Sequence, residues 1–233
     1  MGTPAGSIES ASDAVFDREA SYRRYLEALL DGDRNHCRAC FELWLAHTPD
    51  LRVVYEDLVQ RALYAVGELW QQGKISVARE HLATAISESL LHLSYPRLFA
   101  MPRSGKTAVV AATANELHHL GTRMVADLLE LHGWRTHYLG ANTPLPDLLG
   151  LIGQVDADLV ALSSTVSANM PVLLQAVHAI RSEFPGVPIV IGGQAIRRGG
   201  SELAEQIAGV HCLTTLAELE SWLTTTHAQS GAS

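Results

Sequence analysis

The first hundred residues carry apolar positions at helical spacing. From near Phe16 the pattern runs through Tyr22, Tyr25, Leu26, Leu29 and Leu30 and stops at Asp31-Gly32. Asp33 is placed to cap a second helix bearing Cys37, Phe41, Leu43, Trp44 and Leu45, which ends about His47. Pro49 opens a long third helix with apolar residues at Leu51, Val54, Leu58, Ala62, Ala65, Val66 and Leu69, reaching Trp70 and ended by Gly73. A fourth is expected from Ser76 to about Leu93, with Pro96 as its stop. Four helices on short polar turns predict a small helical bundle over residues 15–101, after a small, polar and disordered stretch at 1–14.

Beyond Pro102 the period changes. Short apolar runs without alternation, as in strands covered on both faces, fall at Ala108–Thr113, Thr136–Gly140, Leu159–Ser163, Ile189–Ile191 and about Val210–Leu213. Helical spacing fits between them at Gly121–His132, Leu145–Gln154, Met170–Phe184, about Ser201–Ile207 and Leu216–Thr224. This alternation predicts an α/β, doubly wound, five-stranded parallel sheet of the flavodoxin-like type over residues 102–233. With strand order 2-1-3-4-5, the switch point lies between strands one and three, where ligands collect at strand C-termini. The turn after the first strand, Asn115 to Gly121, carries a carboxylate, two imidazoles and a glycine at that point. An imidazole on such a turn can ligate a metal, and Glu116 is placed to hold its tautomer.

These residues carry a resemblance. Glu116-x-His118-x-x-Gly121 resembles the signature of cobalamin-binding domains of the methionine-synthase type. It implies His118 as the lower ligand to cobalt. Ser163-Ser164-Thr165-Val166 resembles the family's serine-containing loop, which implies that Ser163, Thr165 and Val166 line the cofactor's nucleotide tail. Gly192-Gly193 resembles the paired glycines that admit that tail. In the helical half, Trp70-x9-Glu80-His81 is similar to the signature of adenosylcobalamin photoreceptors of the CarH type, as is Leu139 to Pro144. The resemblance implies a bundle over the upper face of the corrin, with Trp70 against the adenosyl group and Glu80 and His81 in contact with it. Photocobilins, which pair cobalamin with biliverdin or another bilin, are compatible as well.

Two departures qualify that resemblance. The CarH type carries an N-terminal DNA-binding domain, whereas about fifteen residues precede the bundle here. Gln71 stands where that type can carry a histidine for the upper cobalt site, leaving His81, His92 or water.

Composition then narrows the functions. The 233 residues, 47% of them hydrophobic, suffice for one large or two small domains. A net charge of −8 argues against direct DNA binding. No long apolar run or signal segment is present, and three cysteines suit a reducing compartment, so a cytoplasmic protein without membrane contact is expected. Cys37-x-x-Cys40 reads as two packed thiols, and Ser104-Gly105-Lys106-Thr107 lacks the rest of a phosphate loop. The expected function is a light sensor without catalytic residues, signalling through homo-oligomer or protein-partner contacts. A corrinoid carrier for a methyltransferase and a cobalamin-binding antirepressor are the alternatives.

Overall fold

The structure is a computed structural model and describes residues 16–200 and 207–230. The expectations for residues 1–14 and most of the helix about Ser201–Ile207 lie outside them. Helix α1 (Arg18–Asp31) begins on Asp17, whose side chain accepts from the Ala20 N–H at 3.0 Å, and ends at Gly32 with φ of 76°. Helix α2 (Arg34–His47) uses Asp33 in the same way toward His36. Helix α3 is continuous through Leu51–Val53, a π-helical stretch Val54–Gln60, and Arg61–Gln71. The sequence predicts its length and its apolar face but not the π-helical stretch. Helix α4 (Val77–Leu91) is capped by Ser76 and runs on through a 3-10 turn, His92–Ser94, into a short helix Tyr95–Leu98. Pro96 therefore does not stop the chain where expected. It sits in the first turn of that short helix, where its missing N–H needs no partner.

The sheet follows as β1 (Thr107–Thr113), β2 (Arg135–Thr143), β3 (Leu159–Ser163), β4 (Ile189–Gly192) and β5 (Val210–Cys212). All pairings are parallel, in the order β2-β1-β3-β4-β5. The predicted architecture of helices followed by a doubly wound sheet is the observed one. Crossover helices are α5 (Leu120–Leu131), α6 (Leu145–Val155) and α7 (Met170–Glu183), and α8 (Leu216–Ser230) follows β5. Strand β2 runs three residues past its predicted end because it shifts register against β1 after Val110 and again after Ala111.

Alternation along β1 divides the core. Val109 and Ala111 pack with β3, β4, α6 and α7 on one face. Ala108 and Val110 face the other side, where Met124, Leu128 and Leu219 continue into a single apolar cluster with Tyr25, Phe41, Trp44 and Leu58 of the helical half. The helices therefore stack on one face of the α/β half through shared burial. Polar groups pin that contact. Tyr55 donates to Asp127 Oδ2 of α5 at 2.9 Å, both side chains being buried. Glu56 accepts from the Leu216 N–H at 2.8 Å, capping α8. Arg52 pairs with Glu220 at 3.0 Å.

Candidate functional site

The buried run of β1 ends at Thr113, and the chain enters a turn in which Asn115 takes a φ of 66°. That turn drives Glu116 inward, where it is fully buried. Its Oε2 accepts from the Thr165 N–H at 2.7 Å, the Val166 N–H at 3.2 Å and Asn169 Nδ2 at 3.3 Å. Its Oε1 accepts from the His118 N–H at 2.9 Å and faces His118 Nδ1 at 2.6 Å. Burial alone would push this carboxyl up. The His118 imidazole and the N–H groups of His118, Thr165 and Val166 outweigh burial and hold it at about 2. In turn the carboxylate, ahead of opposing burial, raises the His118 imidazole's hold on a proton.

The consequence for His118 is an orientation. With Nδ1–H directed at the carboxylate, Nε2 presents its lone pair to the space above the sheet, and the side chain is 57% exposed there. The adjacent His119 is held separately, with Nε2 3.0 Å from Glu88 of α4 and Nδ1 3.2 Å from the Leu117 carbonyl oxygen.

The space above His118 is a cavity of about 490 Å³ between the helical half and the strand C-termini. Trp70, Gln71, Glu80 and His81 line it from the helices; His118, Gly121, Ser163, Thr165, Gly192 and Gly193 line it from the sheet side. The fold thus brings together at one cavity residues that the sequence reading drew from stretches more than a hundred positions apart. Glu116 stands behind His118 instead of lining the wall, and Val166 lies outside the wall, its N–H bound to Glu116. Trp70 is 46% exposed, unusual for an indole in so apolar a neighbourhood. Glu80 Oε2 lies 2.6 Å from His81 Nδ1, and its Oε1 accepts from Thr84 Oγ1 at 3.0 Å. His92 does not join them: its ring packs 4.9 Å from Tyr95, beyond the cavity wall. It does not face the cavity where an upper cobalt site is expected, because the 3-10 turn after α4 points it elsewhere.

The two glycines have a packing reason that sequence does not reveal. A Cβ on Gly192 would stand 2.7 Å from the Leu213 carbonyl oxygen, and one on Gly193, where φ is 101°, would overlap the Ser164 carbonyl oxygen. They let the β3, β4 and β5 loops close together beneath the cavity. Sequence reasoning also missed Asn142 and Asn169. Asn142 Oδ1 accepts from the Asn115 N–H at 2.9 Å, and Asn169 donates to the Asn115 carbonyl oxygen at 3.2 Å. With Glu116 they tie three strand-end loops together. Asn142 belongs to the block Leu139 to Pro144, but its role is set by the turn it meets across the sheet edge and not by local pattern.

The donor set suits a particular kind of metal. Among the described residues no three His, Cys, Asp or Glu side chains could hold an ion together. One carboxylate-backed imidazole facing a large cavity fits a metal that arrives with its other ligands in place. Cys37 and Cys40 are buried in the helical core, where burial raises both thiols, Cys37 to about 12. Among the described residues no helix is long and apolar enough to cross a membrane.

Comparison with known proteins points the same way. Residues 106–216 match the family model of the B12 binding domain, and residues 22–93 match a second B12 binding domain model. The HTH-type transcriptional repressor CarA of Myxococcus xanthus is 37% identical over 126 residues, covering 53% of this chain and 43% of that protein. The HTH-type transcriptional repressor CarH of the same organism is 30% identical over 155 residues, covering 66% and 50%. The chain thus spans about half the length of these curated relatives or less. The solved monomethylamine corrinoid protein of Methanosarcina barkeri shares the fold, with a TM-score of 0.75 at 14% identity over 87% of this chain and 96% of that one. Both halves of the chain match B12 binding domains, and a corrinoid is the cofactor those matches indicate.

Proposed function

We propose that this protein, with B12 binding domain matches in both halves, holds adenosylcobalamin with His118 as lower ligand and acts as a light sensor. The observation that carries the reading is the Glu116–His118 pair, which leaves Nε2 directed into a cavity roofed by Trp70, Glu80 and His81. Glu116 keeps the proton on Nδ1. Ser163, Thr165, Gly192 and Gly193 line the floor where the nucleotide tail would enter, with Val166 behind them. Trp70 offers an adenosyl group an apolar face, and Glu80 and His81 offer polar partners.

When bound, adenosylcobalamin supplies a cobalt–carbon bond that light cleaves. The protein's part is to hold the adenosyl group in a closed space and to register its departure. An emptied cavity between Trp70, Glu80 and the sheet is poorly tolerated by packed interiors. The helical half then shifts on α5 and α8, altering self-association or a partner's contact. The relatives named as HTH-type repressors favour a signalling output, and in this reading that output passes through protein contacts.

Reconstitution tests this. The protein should bind adenosylcobalamin in darkness with a histidine-ligated spectrum, change spectrum under green light, and change elution and scattering mass with it. His118→Ala should abolish the histidine-ligated spectrum while His119→Ala keeps it. Equal affinity for adenosyl- and methylcobalamin, with no light response, would favour a corrinoid carrier. A light response without a mass change would leave a partner-dependent output of the antirepressor kind. A further absorption band on adding biliverdin would establish a bilin as second chromophore.

A further inference from the structure

Gly67 occupies the interior of α3, three residues after Tyr64 and three before Trp70, and all three line the cavity. Glycine in a helix interior weakens it relative to alanine, so its presence needs a reason. One reason would be a left-handed backbone, but Gly67 is not among the glycines of positive φ. Another would be a close neighbour, as at Gly193, but a Cβ built on Gly67 meets no heavy atom within 4 Å. The chain's own packing therefore does not require glycine there. What the missing side chain leaves is a notch in the cavity roof, flanked by two aromatic residues one helical turn apart on either side. Burial raises the Tyr64 phenol, and Arg197 and Gln194 stand at its hydroxyl, so that ring is a fixed wall. On the other side Trp70 is nearly half exposed.

A notch of one missing side chain between two aromatic walls fits a flat heteroaromatic ring, which gains from offset or edge contact with both. We propose that the notch at Gly67 receives the purine of the upper ligand, and that Gly67 is the residue selecting an adenosyl group over a small one such as methyl. This rests on the corrinoid reading above and extends it to a residue that no motif marks. The physical content is steric: a side chain at 67 would fill the notch, which an adenosyl group would need and a far smaller methyl group would not.

The test uses Gly67→Ala and Gly67→Leu in the full chain. Without cofactor, Gly67→Ala should raise the melting temperature, since alanine favours the helix and its methyl group meets open space. A fall would show that the fold itself needs the gap, and would overturn the proposal. With cofactor, adenosylcobalamin affinity should drop about tenfold in Gly67→Ala and further in Gly67→Leu. Methylcobalamin affinity should stay within about twofold. Loss of both forms together, or an unchanged ratio in both variants, overturns the assignment. If the unsubstituted protein binds no corrinoid, the functional reading fails and this inference with it. If it binds and discriminates while the variants do so equally well, only the role of Gly67 fails.

Discussion

Replacing Glu116 by glutamine keeps the shape of the side chain and should still cost the site its imidazole orientation. The carboxylate uses both oxygens as acceptors: Oε2 serves the Thr165 and Val166 N–H groups and Asn169, and Oε1 serves His118 twice. A glutamine has one acceptor oxygen and one NH2, so either way round it turns a donor toward donors. If its oxygen keeps the Thr165 side, its NH2 confronts the His118 N–H and Nδ1. The ring relieves the second conflict by carrying its proton on Nε2, which then offers the cavity a proton instead of a lone pair. A hydrogen bond to a charged group contributes about 1.5–3 kcal/mol and a buried donor left unpaired costs about 1–3 kcal/mol. These losses overlap, so about 2–4 kcal/mol is expected overall. In a chain of this size that lowers Tm by roughly 5–15 °C, and loss of the partner behind a metal-bound histidine weakens metal affinity about 10–100-fold. Circular-dichroism melts without cofactor and spectral titration with cobalamin measure the two separately. A lowered Tm with cobalamin affinity unchanged would refute the reasoning, since Glu116 would then staple the loops without governing the imidazole.

Other substitutions examine the surrounding structure. Tyr55→Phe removes the buried bond to Asp127, and Tyr25→Phe removes a comparable one to Ser87 within the helical half. Each should cost about 1–2 kcal/mol, but only Tyr55→Phe should speed hydrogen exchange in the π-helical stretch of α3 that carries it; equal effects would deny the interface its role. Gly193→Ala sets a side chain at φ of 101° against the Ser164 carbonyl. It should lose about 3 kcal/mol or more in urea denaturation, and a loss under about 0.5 kcal/mol would show the loops to be pliable. Burial lowers the His211 imidazole below its ordinary 6.5. With the folded value below the unfolded one, its stabilising contribution is present above pH 6.5 and lost as pH falls through the folded value. His211→Asn should flatten the stability slope over that window, and an unaltered slope would place the titration elsewhere.

Sequence made the site visible where local chemistry and topology coincide. The unbroken apolar run of β1 announced a central strand, and the polar turn after it had to lie at the sheet's C-terminal edge. Trp70, Glu80 and His81 could be gathered only by resemblance, since nothing local says that the ends of α3 and α4 overhang that edge. The π-helical stretch was hidden because its partners are remote: Tyr55 meets Asp127, 72 positions away, and Glu56 meets Leu216, 160 away. His92 shares residue type with His81 but not direction, which the 3-10 turn decides. Gly67 carries no local signal at all, because an open space beside a helix leaves no trace in the pattern.

The π-helical stretch makes the chain from Tyr55 to Trp70 a ruler. Tyr55 and Glu56 fix one end of α3 to α5 and α8, while Gly67 and Trp70 must meet the cavity at the other. Removing a single residue between them would rotate the far end by about 100° about the helix axis. Trp70 would leave the cavity, and Ala62 and Val66, both wholly buried, would leave the core. Related chains that share this site are therefore expected to keep the interval from Tyr55 to Trp70 constant.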